Sequence, residues 1–172
     1  LDFWFGKIGA SHWFSRSAEI DADIRDRFLA LYERLVSSDA AGIDGPRPLR
    51  AAVIVLDQFS RNMFRDTPRA FAADPLARRL ARQVIEQGFD SGLTVEERLF
   101  FYLPFEHSED RNDQALSCEL IERLGNDDWT QYALAHKAII DRFGRFPHRN
   151  AVLGRTSTAE EIARLAEPMG SF

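Results

Sequence analysis

The sequence predicts an all-α fold built from antiparallel helix pairs. Three observations carry this. Apolar residues recur at spacings of three and four in nearly every periodic segment. No segment alternates convincingly as a strand. Turn formers punctuate the chain between periodic segments, and short connections favour antiparallel neighbours.

The elements follow in order. The chain opens on Leu1 rather than Met, so its start is expected to be trimmed and its first helix incomplete. Residues 19–38 place Ile20, Ile24, Phe28, Leu31 and Leu35 on one helical face. The longest loop is expected at 39–47, where "GIDGPRP" falls. Further helices are expected at 48–63, 73–88, 95–103 and 111–124, separated by "RDTP", "GFDSG" and "LGNDD"-type breaks. "AVIVL" is β-rich in composition but runs into "DQFSRNMF" without a stop, so it is read as helix. Residues 127–143 set Trp129, Ala133, His136, Ile140 and Phe143 on one face. Gly144 suits the residue just past that helix's end. "STAEE" at 157–161 reads as a cap with acids in the first turn, opening a last helix at 158–166. No strict repeat is visible, so periodicity alone does not separate a bundle from a solenoid.

Bulk properties narrow the function classes. A chain of 172 residues suits a single domain, expected to span 1–172. The longest apolar run, "AAVIVL", is far short of a membrane span, and "LDFWFGKIGA" does not resemble a signal peptide. Cys118 is the single cysteine, which fits a reducing compartment; a cytoplasmic location is expected. The net charge of −5 argues against DNA binding. Of 22 basic residues, Lys7 and Lys137 are the only lysines. Arginine's rigid fork matches carboxylate and phosphate, although codon bias explains the preference equally well. No G-x-S-x-G, P-loop or G-x-G-x-x-G occurs, and "LSCEL" is no catalytic cysteine context, so no cofactor is expected.

Three segments draw attention. Projected at 100° per residue, one helix over 47–65 gathers Arg47, Arg50, Asp57, Gln58, Arg61, Asn62 and Arg65 in one arc. Ala52, Val53, Val55, Leu56, Phe59 and Met63 fill the other side. The plain reading is a solvated face with an Asp57–Arg61 pair; the functional one is a binding stripe.

The second segment is "YLPFEHSED" at 102–110. Pro104 is expected to kink or end its helix. Glu106, His107, Glu109 and Asp110 follow at once. A carboxylate beside His107 favours its charged form and suits acid–base work. His107, Glu109 and Asp57 or His136 match no strong metal spacing, so no metal is expected. The plain alternative is a capped acidic helix start. His136 shares its face with apolar residues and is expected to be a core histidine with one satisfied hydrogen bond.

The third is "RFGRFPHRNAVLGR" at 142–155, with four arginines, a histidine and no acid. Arg142 and Arg145 sit at the negative end of a helix dipole, which accounts for part of the charge. His148, Arg149, Asn150 and Arg155 either hold an anion or fasten the last helix to the acids of 106–113.

"LDQFSRNMFRDTPRAFAADPLA", "YLPFEHSED" with Gln114 following, and "HKAIIDRFGRFPHRNAVLGRTSTAEE" resemble the signature blocks of the bacterial domain-of-unknown-function family DUF924. "LDFWFG" resembles its opening motif, so the likeness covers nearly the whole chain. It implies a tetratricopeptide-repeat-like superhelix of stacked helix pairs. It supplies no activity.

The leading expectation is therefore a binding module. Asp57, Gln58, Arg61, Asn62 and Arg65 would face His107, Glu109, Arg145, His148, Arg149 and Asn150 across a polar groove. Its ligand would be a small anion or an acidic peptide segment. One alternative is an enzyme using His107 or His148, with Asp57 or Glu109 as partner, on an anionic substrate. Another is a polar network that only holds helices in register.

Overall fold

The computed structural model describes residues 1–167. The chain is all-helical, with no strand among the described residues. The expected domain limit at 172 lies beyond them. The chain divides into two compact units: Leu1–Arg65 with Arg69–Gly92, and Asp66–Pro68 with Leu93–Phe172.

The first unit opens with a π-helical turn, Asp2–Ile8, followed by α1, Ala18–Ser37. Ser17 caps α1 by accepting from the Ile20 amide at 3.3 Å. The helical period is borne out: Ile24 and Leu35 are buried, with Tyr32 beside them. Next comes α2, Pro46–Ile54, whose Pro46 occupies the first turn, where a missing amide hydrogen costs nothing.

Here the structure departs from the single helix expected over 47–65. A π-helical turn, Val55–Phe59, is followed by α3, Ser60–Met63. Each π hydrogen bond closes over one more residue than an α bond, so the phase of the chain changes. A constant 100° projection cannot register that change. It put Asp57 and Gln58 on an exposed face, yet they are 0% and 7% exposed. A short helix, α4, Arg69–Ala72, leads to α5, Asp74–Glu86. α5 packs on α2, burying Ala77, Leu80, Ala81 and Val84. Phe59 lies under Phe3, Trp4 and Phe28, with ring centroids at 6.0, 5.3 and 4.7 Å. The π turn therefore also seats the N-terminal aromatic residues.

The second unit holds α6, Val95–Glu106; α7, Arg111–Glu122; α8, Asp127–Phe143; and α9, Ala159–Leu165. α7 packs against both α6 and α8. Caps set the starts. Thr94 and Thr158 make capping boxes with Glu97 and Glu161, and Asp110 and Asn126 cap α7 and α8. Gly144 ends α8 at φ 69°, the left-handed conformation glycine adopts without strain. The helix expected over 95–103 runs on through Pro104 to Glu106. The Gln114 side-chain amide meets this end. Its Nε2 donates to the carbonyls of Glu106 at 2.6 Å, Ser108 at 2.7 Å and Phe105 at 3.4 Å, satisfying the helix end. Phe100, Phe101, Tyr102 and Phe105 fill the core beneath. Pro147–Arg149 form a 3₁₀ turn after α8, where the sequence suggested only a stop. Among the described residues, no helix is long and apolar enough to cross a membrane.

Candidate functional site

In the first unit, Arg61, Asn62 and Arg65 are held by carboxylates from other helices, and Gln58 by its neighbour Asp57. Arg61 makes a bidentate contact with Asp74, Nη1 and Nη2 each at 3.1 Å, and lies 3.3 Å from Asp57. It also donates to the Asp57 carbonyl at 2.5 Å. Gln58 Nε2 donates to Asp57 Oδ2 at 2.5 Å. Arg65 grips Asp21 from α1 with two bonds of 2.7 Å, and Asn62 adds a third of 2.7 Å. Burial pulls the Asp21 carboxyl upward, but the Arg65 and Asn62 hydrogen bonds outweigh it and hold it below the usual range. The Arg61–Asp74 and Arg65–Asp21 pairs are helix-to-helix ties, made by charge-assisted forks.

In the second unit, Arg145 and Glu161 form a two-bond pair, and Asn150 Nδ2 donates to Ser157 Oγ at 3.0 Å and Glu161 Oε2 at 3.3 Å. Glu109 accepts from Arg155 at 2.8 and 3.0 Å and from the Phe146 amide at 2.8 Å. Burial alone would raise the Glu109 carboxyl; Arg155 and the amide reverse this and hold it low. A carboxylate held low is a poor base. Arg155 thus fastens the loop after α8 to the segment after α6.

A different grouping surrounds Phe146, which is fully buried. The Arg149 guanidinium lies over its ring, 4.5 Å from the centroid. His136 meets the ring edge-on at 5.6 Å, and His148 lies 5.5 Å away. His107 lies 6.4 Å from His136. Glu106 Oε1 is 3.4 Å from His136 Nδ1. Arg149, Glu106 and His136 are buried, whereas His107 and His148 are partly exposed. Burial lowers the His136 pKa to about 3; the Tyr132 carbonyl opposes this, and the charges of His107, Arg149 and His148 lower it further.

The structure therefore brings His107, His148 and Arg149 together within one unit. It places Glu109, Arg145 and Asn150 in the neighbouring ties of that unit. Asp57, Gln58, Arg61, Asn62 and Arg65 belong to the other unit. His136 is an addition to the predicted set, and Glu106, singled out in "YLPFEHSED", lies beside it. His136 Nδ1 lies 2.8 Å from the Tyr132 carbonyl, in line with a core histidine, yet the ring also borders the cluster. Its signal was available: a histidine on the α8 face, one helix packing away from "FEHSED". Among the described residues, no group of three His, Cys, Asp or Glu side chains is arranged to hold a metal ion.

Residues 1–169 match the family model DUF924, described as a bacterial protein of unknown function. A solved structure of a protein of unknown function from Agrobacterium tumefaciens is 40% identical. The match covers 97% of this chain and 94% of that one, with a TM-score of 0.91. No curated protein matches.

Proposed function

This chain belongs to DUF924, the family of bacterial proteins of unknown function, and from there we propose that it is a helical binding module for an anionic ligand. The grouping of Arg149, His136 and His148 around Phe146, with His107 beside His136, carries the reading. It assembles cationic and imidazole groups with one aromatic wall, a setting suited to a carboxylate or phosphate. His107 and His148 form its solvent side. The ligand is a small anion or the carboxylate of an acidic peptide segment.

The geometry narrows the wider set of residues expected from sequence. Arg61, Arg65 and Arg145 each hold a carboxylate of their own unit, so their contribution is to keep the helices in place. Sequential packing of α6, α7 and α8 supports helix pairs of the tetratricopeptide-repeat kind in the second unit. A cytoplasmic setting is part of the reading, and a single cysteine agrees with it.

A thermal-shift screen against phosphates, dicarboxylates and acidic peptides tests this. A ligand at ~100 times its dissociation constant adds ~2.7 kcal/mol of stability. Arg149→Ala should abolish that gain, and Arg61→Ala should leave it intact. No gain with any anion, or a gain untouched by Arg149→Ala, would refute the assignment.

A further inference from the structure

Residues 151–167, which include α9, join the second unit with little apolar burial. Among these described residues, Glu161 is the one buried side chain. Val152 and Leu165 are half-buried, and Ile162, next to Glu161 in α9, is 60% exposed. A helix docked by the hydrophobic effect turns its apolar side inward. α9 does the reverse: it turns a carboxylate inward and its isoleucine to solvent.

The ties are polar. Arg145 grips Glu161 with two bonds, and Asn150 adds one. Arg145 Nη2 also donates to the Thr156 carbonyl at 2.9 Å. Arg142 donates to Glu160, and Arg155 to Glu109 and to the Phe146 carbonyl. Water can replace such bonds one for one, so the net worth of each is modest. A segment with few buried apolar contacts opens at a lower free energy than the core beside it. Of the three acids, the Glu161 side chain is 2% exposed, against 30% for Glu109 and 63% for Glu160. Exposed pairs contribute little, so Glu161 sets the free energy of opening.

We propose that residues 151–167 are a strap that opens as one piece, with the Arg145–Glu161 pair as its latch. α9 packs on the 3₁₀ turn Pro147–Arg149, so opening bares the turn that carries His148 and Arg149. The strap thereby governs access to that turn. The latch works in the same way whatever binds there.

Native-state hydrogen exchange of the full chain at neutral pH, in small steps of urea, tests it. The amides of Leu153, Arg155 and Ile162 donate to the carbonyls of Arg149, Asn150 and Thr158. They should share one degree of protection, about a hundredfold or more below that of Ile139 and Ile140 in α8. Their exchange should hardly respond to urea, because opening exposes little surface. The amides of Arg149 and Asn150, bonded to Phe146 and Pro147, should follow the strap. Glu161→Gln should speed the strap's exchange about thirtyfold, and Glu160→Gln about threefold at most. The wild-type comparison stands even if Glu161→Gln fails to fold. Protection equal to that of Ile140, with the same urea response, overturns the strap. Protection that declines step by step from residue 153 to 162, or equal effects of the two substitutions, overturns the latch.

Discussion

Arg145 holds Glu161 by two parallel hydrogen bonds, Nε to Oε1 at 2.6 Å and Nη2 to Oε2 at 2.8 Å. The same carboxylate accepts from the Thr158 amide at 2.7 Å and from Asn150 at 3.3 Å. One buried acid therefore fixes both the start of α9 and the loop that precedes it.

This pairing makes the fold acid-sensitive in a defined window. The Arg145 hydrogen bond, then the Thr158 amide, hold the Glu161 pKa at about 2, against an ordinary 4.5. The unfolded chain takes up this proton first as pH falls, so the contribution is complete above 4.5 and is lost on the way down to 2. Urea midpoints measured from pH 7 to pH 2 should fall within that range. In Glu161→Gln the fall should be smaller, and the variant should be roughly 2 kcal/mol less stable at pH 7. An unchanged acid profile in the variant would show that other carboxylates dominate.

His136 should stay neutral throughout the physiological range. Its pKa, lowered to about 3, lies under the ordinary 6.5 of the unfolded chain. Between those values the unfolded state binds the extra proton, so stability is lost as pH falls from 6.5 towards 3. Nitrogen chemical shifts should show the proton on Nδ1 and no titration between pH 8 and 5. A ring titrating near 6.5, or carrying its proton on Nε2, contradicts the geometry.

Gln114→Leu removes a buried donor to three carbonyls at the end of α6. Those acceptors stay buried, so the loss should be about 2–3 kcal/mol in chemical denaturation. Hydrogen exchange should speed up in residues 101–108 before it does elsewhere. Gln114→Glu should be no better, because a carboxylate cannot donate.

Arg61→Ala should cost about 3 kcal/mol or more, since Asp57, 0% exposed, loses the cation beside it. Arg61→Lys should recover less than half, because an ammonium group cannot reproduce the fork on Asp74. Equal stability of Arg61→Lys and the natural chain would mean that the bidentate geometry contributes nothing.

Local signals in the sequence were legible because their causes are local. Thr158 with Glu161, Gly144 after Phe143, and the apolar face of residues 127–143 are all set within one or two helical turns. The ion-pair partners were not legible. Asp21 and Arg65 are 44 residues apart, as Glu109 and Arg155 are 46 apart, and no periodicity links such positions. The partner that meets the end of α6 is Gln114, a residue of the next helix. The run of charge at 142–155 divides accordingly. Arg142, Arg145 and Arg155 answer to Glu160, Glu161 and Glu109, while Arg149 lies on Phe146.

The π-helical turn at Val55–Phe59 has a consequence for the length of the chain. Deleting one residue there would let the backbone relax into uninterrupted α-helix, with its internal bonding intact. The π bond spans one residue more than an α bond, so the loss would be absorbed within the turn and the helix beyond it would keep nearly the same phase. Arg61, Asn62 and Arg65 would stay within reach of Asp74 and Asp21. A deletion within the regular α-helix of α2 would instead turn everything downstream by about 100° and draw it back by about 1.5 Å. The chain should therefore tolerate the loss of one residue at the π turn far better than the same loss one turn earlier.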